Sequence, residues 1–442
     1  MRKFWTDSLI ATFFVFLVLL AIREVSQFNI FNVFDPLGKA LGDMELTDIT
    51  FSNLRVEVPP VDENITIINI GNLSRAEIAE QIRAISQFKP KVIAIDAFFN
   101  CGGCQDGTID SVCCPLAYDT LSNMMLAGAI ADAGNVVLVT KLQQSEALLA
   151  KYGNDVARYD SLQHTDDLIR GNSYEGFANL ETGADHQEDL KACRRLNPSM
   201  VMEDGTTELA FSTRVAMVYD SVKTRRFLAR QKHSEVINYR GNVPDPYQAS
   251  APEFSGRYTY LDWYQPFDTT SFLPTIITDR IVLFGFMGAD MRDTSWDDKF
   301  VTPLNKQFAG KTRPDMYGVV VHANVISMIL DEDYIEELEA WQEYAIAILV
   351  CFLNVALFTY INRKIPVWFD ALSIVVQLVQ FLVCTFLMIY ALLWFNFKLN
   401  LTYTLAALAL VGTCFELYHS VLRVGLSAIK SRGWFTIKKE GV

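Results

Sequence analysis

Histidine is scarce in this chain: five in 442 residues, at positions 164, 186, 233, 322 and 419. Scattered this way, they supply no metal-binding template. There is no P-loop, no kinase glycine-rich loop and no HRD-like segment. No Ser/His/Asp or Cys/His spacing marks a nucleophile. The expectation is therefore a protein with no catalytic residue, no metal and no cofactor, and not an enzyme. Basic excess is missing too. With 38 Lys+Arg against 51 Asp+Glu the net charge is −13, which argues against a nucleic-acid partner. No internal repeat occurs among the polar segments, and there is no long low-complexity tract.

What is present is hydrophobicity at the two ends. Residues 4–22 form one apolar run, and 344–361, 372–395 and 401–422 form three more. Each approaches the ~20 residues needed to cross ~30 Å of hydrocarbon. The first has no small-x-small cleavage site after it, so it reads as an uncleaved signal anchor rather than a signal peptide. Arg363 and Lys364 lie in the second link, and Arg423, Lys430, Arg432, Lys438 and Lys439 in the tail. The positive-inside rule then puts residues 1–3, that link and the basic tail 423–442 in the cytoplasm. The domain 23–340 falls outside. It holds 28 Lys+Arg and 46 Asp+Glu, an acidic, well-hydrated surface. The expected location is a bacterial inner membrane with a periplasmic domain.

Within that domain short apolar strands alternate with amphipathic helices. Strands are expected at 64–70, 91–99, 135–140, 236–239, 258–264 and 280–286, and helices at 74–88, 121–133 and 208–230. Ser74 with Glu77 three residues later is a capping-box signature. Residues 317–330 should begin extended and become a helix that leads stiffly towards the second span. Residues 143–204 read as loops with a few short helices. Nearly continuous apolar strands separated by helices indicate an α/β fold, a mainly parallel sheet sandwiched by helices.

Cys101, Cys104, Cys113 and Cys114 form C-x2-C-x8-C-C after the second strand, and Cys193 makes a fifth outer cysteine. In an oxidising exterior these are disulfide candidates; zinc is the sharper alternative, but the spacing is not a zinc pattern and no histidine lies within it. Cys351, Cys384 and Cys414 fall in spans and read as small apolar residues.

Several segments occur in an order that carries a resemblance: KPKVIAIDAFF (89–99), INYRG (237–241), RIVLFGFMGADMRDT (280–294), TPL (302–304) and GVVVHANVI (318–326). Together they resemble the second type of CHASE domain, an extracytoplasmic sensory module of bacterial receptors. That resemblance implies one span before the domain and three after it. The chain departs from the family where an acid is usual, at the strand end Asn69–Ile70–Gly71 and at Val320, and only Arg75 marks the turn before the first helix. Relatives often continue into a kinase or cyclase. This sequence ends about 20 residues after its fourth expected span, like a sensor whose output lies in another protein.

Ligands of open α/β sheets bind at the carboxyl ends of the strands. Asp96 lies at one such end, and Asp290 and Asp293 follow another. Arg240, His322 and Asn324 are candidates for the same cleft. Each has a structural alternative, as a cap, a salt bridge or a satisfied buried residue. Asn354, Gln377, Gln380, Glu416 and His419 are polar groups inside spans, either glue between helices or a docking face. The expected function is a membrane-anchored sensory or interaction protein that relays to a separate membrane or envelope protein, or to a second copy of itself, with an unknown small-molecule ligand. The alternative is a structural subunit of an envelope complex with no ligand.

Overall fold

The computed structural model describes residues 2–26, 45–55, 58–100, 118–153, 158–180, 192–244, 250, 252–306 and 313–419. The chain divides into two units, Asp43–Ile335 and a second made of Met1–Gly42 with Glu336–Val442.

The first unit is built on a seven-stranded sheet. Its strands are β1 (Asp62–Asn69), β2 (Val92–Asp96), β3 (Val136–Gln143), β4 (Ser161–Gln163), β5 (Tyr174–Phe177), β6 (Tyr258–Leu261) and β7 (Ile281–Gly285). The order is β6-β1-β7-β2-β3-β4, with β5 also pairing β3. All pairs are parallel except β3–β4. The strands are apolar almost throughout because both faces are covered.

On one face lie α2 (Arg75–Ser86) and α3 (Thr120–Ala133). Ile78, Ile82, Ile85, Leu126 and Ile130 pack there on Ile68, Ile93, Ile95, Val282 and Phe284. The capping box starts α2 as expected: Ser74 Oγ accepts from the Glu77 amide, and the Glu77 carboxylate accepts from the Ser74 amide. On the other face lie α4 (Phe211–Tyr219), α5 (Ser221–Leu228) and α6 (Gly318–Asp331). Every residue of α6 from Gly318 to Leu330 is buried. The short hairpin β8 (Lys299–Phe300) with β9 (Met316–Tyr317) leads into α6.

Three expectations about this unit change. The helix expected over 208–230 is two helices, because Asp220 leaves the helical region (φ −141°) and its carboxylate caps α5 through the amides of Val222 and Lys223. The strand expected over 236–239 is only Glu235–Val236. The link from α6 is not one stiff helix: Glu332 takes the left-handed conformation (φ +55°), and the next long helix starts at Ala340. Such a residue ends a helix cleanly.

The second unit holds α1 (Arg2–Ser26), α7 (Ala340–Lys364), α8 (Phe369–Phe395) and α9 (Thr402–Leu417). Val15, Cys351, Val355, Phe358, Ala407, Val411 and Phe415 form its core. Among the described residues three helices, not the expected four, are long and apolar enough to cross a membrane: Phe4–Ile22, Ala340–Lys364 and Pro366–Phe395. At 16 residues α9 spans about 24 Å, short of ~30 Å. The basic tail lies outside the described residues. Cys351 and Cys414 are buried free thiols and Cys384 a half-buried one, so these three behave as small apolar residues.

Gly285 lets α6 approach the sheet: a Cβ there would lie 2.5 Å from Val319 Cβ. Gly285→Ala should destabilise the first unit by about 1–3 kcal/mol, the usual cost of overpacking. Gly128→Ala, in α3 with nothing nearer than 3.7 Å, should gain up to about 1 kcal/mol from helix propensity. Unfolding of the full chain in detergent, followed by tryptophan fluorescence, measures both.

Candidate functional site

At the carboxyl edge of the sheet Asn69, Gly285 and Asp96 lie in one row, on β1, β7 and β2. Their fates differ. Asn69 is fully buried and uses its whole amide. Its Nδ2 donates to Asp262 Oδ1 at 2.9 Å and to the Gly288 carbonyl at 3.1 Å. Its Oδ1 accepts from the amides of Gly71 at 2.9 Å and Met287 at 2.8 Å. It therefore holds loops together and has nothing left for a ligand.

Asp96 stands in the opposite condition. Its side chain is only 14% exposed, and among the described residues the one basic side chain in contact with it is His322, whose Nε2 lies 4.0 Å from Asp96 Oδ2. That is beyond hydrogen-bonding range. Burial without a donor pushes the Asp96 carboxyl up to about 7. His322, on α6 and almost fully buried, is pushed down to about 4 by the same desolvation. Its Nδ1 meets Ser212 Oγ at 2.7 Å, and its ring meets Phe211 edge to face at 5.1 Å.

Asp298 completes the group. It precedes β8, with a left-handed backbone (φ +56°). Its carbonyl accepts from the Gly318 amide, and its carboxylate oxygens lie 3.4 Å from where a Gly318 Cβ would be. Although it reaches solvent, it is walled by protein, and desolvation followed by repulsion from Asp96 raises its carboxyl to about 7. The sequence reading missed it. The signal was an acid shortly before the TPL and HAN segments, where the hairpin returns the chain to the sheet edge.

The other expected site residues do not converge here. Asp293 is spent on its own loop, accepting from the amides of Ala289 and Ser295, which hold its carboxyl below the usual range. Asp290 accepts from the Arg292 amide. Arg240 pairs with Asp331, not with Asp96. Asn324 clamps Arg240 and Gly241 through Oδ1 and donates from Nδ2 to the carbonyls of Gly241 and Val320. Cys193 is buried, and its carbonyl accepts from Tyr239 Oη. Cys101, Cys104, Cys113 and Cys114 lie outside the described residues.

Among the spans, Gln377 Nε2 donates to the Leu408 carbonyl at 2.7 Å and joins α8 to α9. Asn354 donates within its own helix to Val350. Gln380 Oε1 is buried with no hydrogen bond among the described residues. Glu416 is exposed, and the His419 ring lies against Phe415, centroids 4.3 Å apart and tilted by 51°.

Ser212, His322 and Asp96 together suggest an acyl-transfer relay, but the geometry is wrong for one. Ser212 is 2% exposed, so its hydroxyl cannot reach a substrate. No group of three His, Cys, Asp or Glu among the described residues could hold a metal ion. What remains is a largely buried carboxylate, Asp96, beside a neutral imidazole, with the exposed Asp298 near it, an arrangement suited to a proton or a cationic group.

A protein-family model described as CHASE2 domain matches residues 15–357. No curated protein and no solved structure matches the chain.

The raised carboxyls set a pH dependence. The folded state holds protons on Asp96 and Asp298 up to about pH 7, which the unfolded state has released, so stability falls as pH rises towards 8. His322 acts in the opposite sense, only below its ordinary value of 6.5. Asp96→Asn should therefore raise the melting temperature at pH 8 by ~2–4 °C, the shift of about 1 kcal/mol in a domain of this size, and by less at pH 6.5. Equal gains at both values would remove the titration from the explanation.

Proposed function

The chain belongs to the CHASE2 domain family, and from that premise we propose that it is a membrane-anchored sensory protein. CHASE2 is an extracytoplasmic sensory domain family, and three apolar helices are suited to anchoring. The unit Asp43–Ile335 faces the periplasm of a bacterial inner membrane. Four spans, with the apolar run 401–422 as the fourth, leave both termini in the cytoplasm. A small ligand or protein binds at the carboxyl edge of the sheet, and the helices relay this to a separate membrane or envelope protein. The chain itself carries out no reaction.

The observation that carries the reading is the Asp96–Asp298–His322 group. Buried polar atoms are almost always paired, and here charge is left unpaired at the edge where α/β sheets bind ligands. A second reading, a structural envelope subunit with no ligand, is favoured by the departures at Gly71 and Val320, which stand where relatives are expected to have an acid; Val320 is wholly internal.

Mass spectrometry of proteins that co-purify with the tagged chain in mild detergent tests the relay. A stoichiometric partner with a cytoplasmic or envelope domain is expected, and its capture should change in Asp96→Asn. A chain that purifies alone would overturn the relay, while a partner held equally by wild type and Asp96→Asn would favour the structural subunit. Topology has its own check. Protease added to cells with a permeabilised outer membrane should cut the large unit and leave a C-terminal epitope intact.

A further inference from the structure

We propose that Asp96, Asp298 and His322 form a recognition site for a primary ammonium group. This rests on the reading of the outer unit as a ligand-binding sensor and names the chemistry of its ligand.

The first argument is charge. Asp96 and Asp298 lie close enough to repel each other. The nearest basic side chain in sequence, Lys299, turns its ammonium over the Tyr317 ring at 4.6 Å instead. Arg240 is committed to Asp331. The partial positive charge at the start of α6 offsets the carboxylates only in part. A bound cation would supply what the protein leaves out.

The second argument is the unused imidazole nitrogen. His322 is 4% exposed, and Nδ1 is engaged by Ser212. Nε2 points towards Asp96 across 4.0 Å with no hydrogen bond. A neutral His322 that donates from Nδ1 to Ser212 presents a lone pair at Nε2. In that tautomer, and above about pH 7 where both carboxyls are ionised, the site offers acceptors only, and an ammonium offers donors only.

The third argument is the gap. One nitrogen making two hydrogen bonds of about 2.9 Å to acceptors 4.0 Å apart subtends about 90°, which a tetrahedral ammonium tolerates. A zinc ion at about 2.0 Å from each would need to lie on the straight line between them, which its tetrahedral preference disfavours.

The test is binding calorimetry on the full chain in detergent at pH 8, with methylamine, 1,4-diaminobutane and tetramethylammonium as probes. Both amines should bind saturably, and tetramethylammonium, which has no N–H, should not compete. Asp96→Asn and Asp298→Asn should each weaken the amines at least tenfold. Asp96→Asn is expected to be more stable than wild type, so its loss of binding would not reflect unfolding. Tighter binding of the diamine than of methylamine marks a free polyamine-like ligand. Equal binding marks a single ammonium, as a partner's lysine would present. Absence of saturable amine binding, equal competition by tetramethylammonium, or unchanged affinity in both variants would overturn the site. If amines fail while Asp96→Asn still alters partner capture, the ligand class is wrong and the sensory reading stands. Amine binding by a chain that purifies alone would keep the site and remove the relay.

Discussion

The carboxyl edge of the sheet depends on the amide of Asn69. A carboxamide has two donors and two acceptor positions, and Asn69 uses all four, on Gly71, Asp262, Met287 and Gly288. Those partners belong to the turn after β1 and the loops after β6 and β7. One buried side chain therefore sets the height of three loops above the sheet. An aspartate would lose both donors and face the Asp262 carboxylate with like charge. The asparagine thus follows from the loop arrangement, and that arrangement seals three of the strand ends.

What stays open is the end of β2. The unit contains three acids that show why Asp96 differs. Asp293 is exposed and accepts from two backbone amides, and its carboxyl is held low. Asp315 is buried but receives Thr302, Ser250 and Asn305, and rises only to about 6. Asp96 has burial and no donor, and rises to about 7. Desolvation drives the change and hydrogen bonds oppose it. Donors would have been simple to provide, as Asp315 demonstrates. On the proposed sensory reading, the carboxylate left without them at this edge is the position a ligand would fill.

The parallel sheet was legible in the sequence because its strands are buried on both faces and so read as continuous apolar runs, as in VIAID and IVLFG. Ser74 and Glu77 announced the start of α2 by local chemistry alone. Asp96 and His322 were legible as neighbours only through the family resemblance, since 226 residues separate them. The rest was hidden for a common reason. Asp290, Asp293 and Asn324 look like ligand residues by type, but nearby backbone amides and carbonyls had already claimed them. Hydrogen-bond satisfaction is a tertiary property, and residue type does not report it. Asp298 was hidden conversely: nothing in its sequence distinguishes it from Asp297, and only the hairpin into α6 brings it to the edge. The break at Asp220 was masked because the apolar period continues across it.

The membrane unit also constrains how any signal travels. A continuous helix from α6 into α7 would act as a rod, but the left-handed Glu332 breaks it. The chain instead enters α7 through an extended segment in which Glu336–Glu337 pairs in parallel with Phe397–Lys398, and the Glu336 amide donates to the Asn396 carbonyl. Residues 396–398 connect α8 to α9. A pull or twist on the segment before Ala340 therefore acts on two places at once, the start of α7 and the turn between α8 and α9. The helix α8 is held by Gln377, which fits against Gly412 and bonds the Leu408 carbonyl, a bond worth roughly 1 kcal/mol within hydrocarbon, and by Phe369, which packs against Phe358 and Phe415 in the apolar core shared with α1, α7 and α9. Its packed end and the end tied to the incoming chain are therefore opposite ends of the same helix.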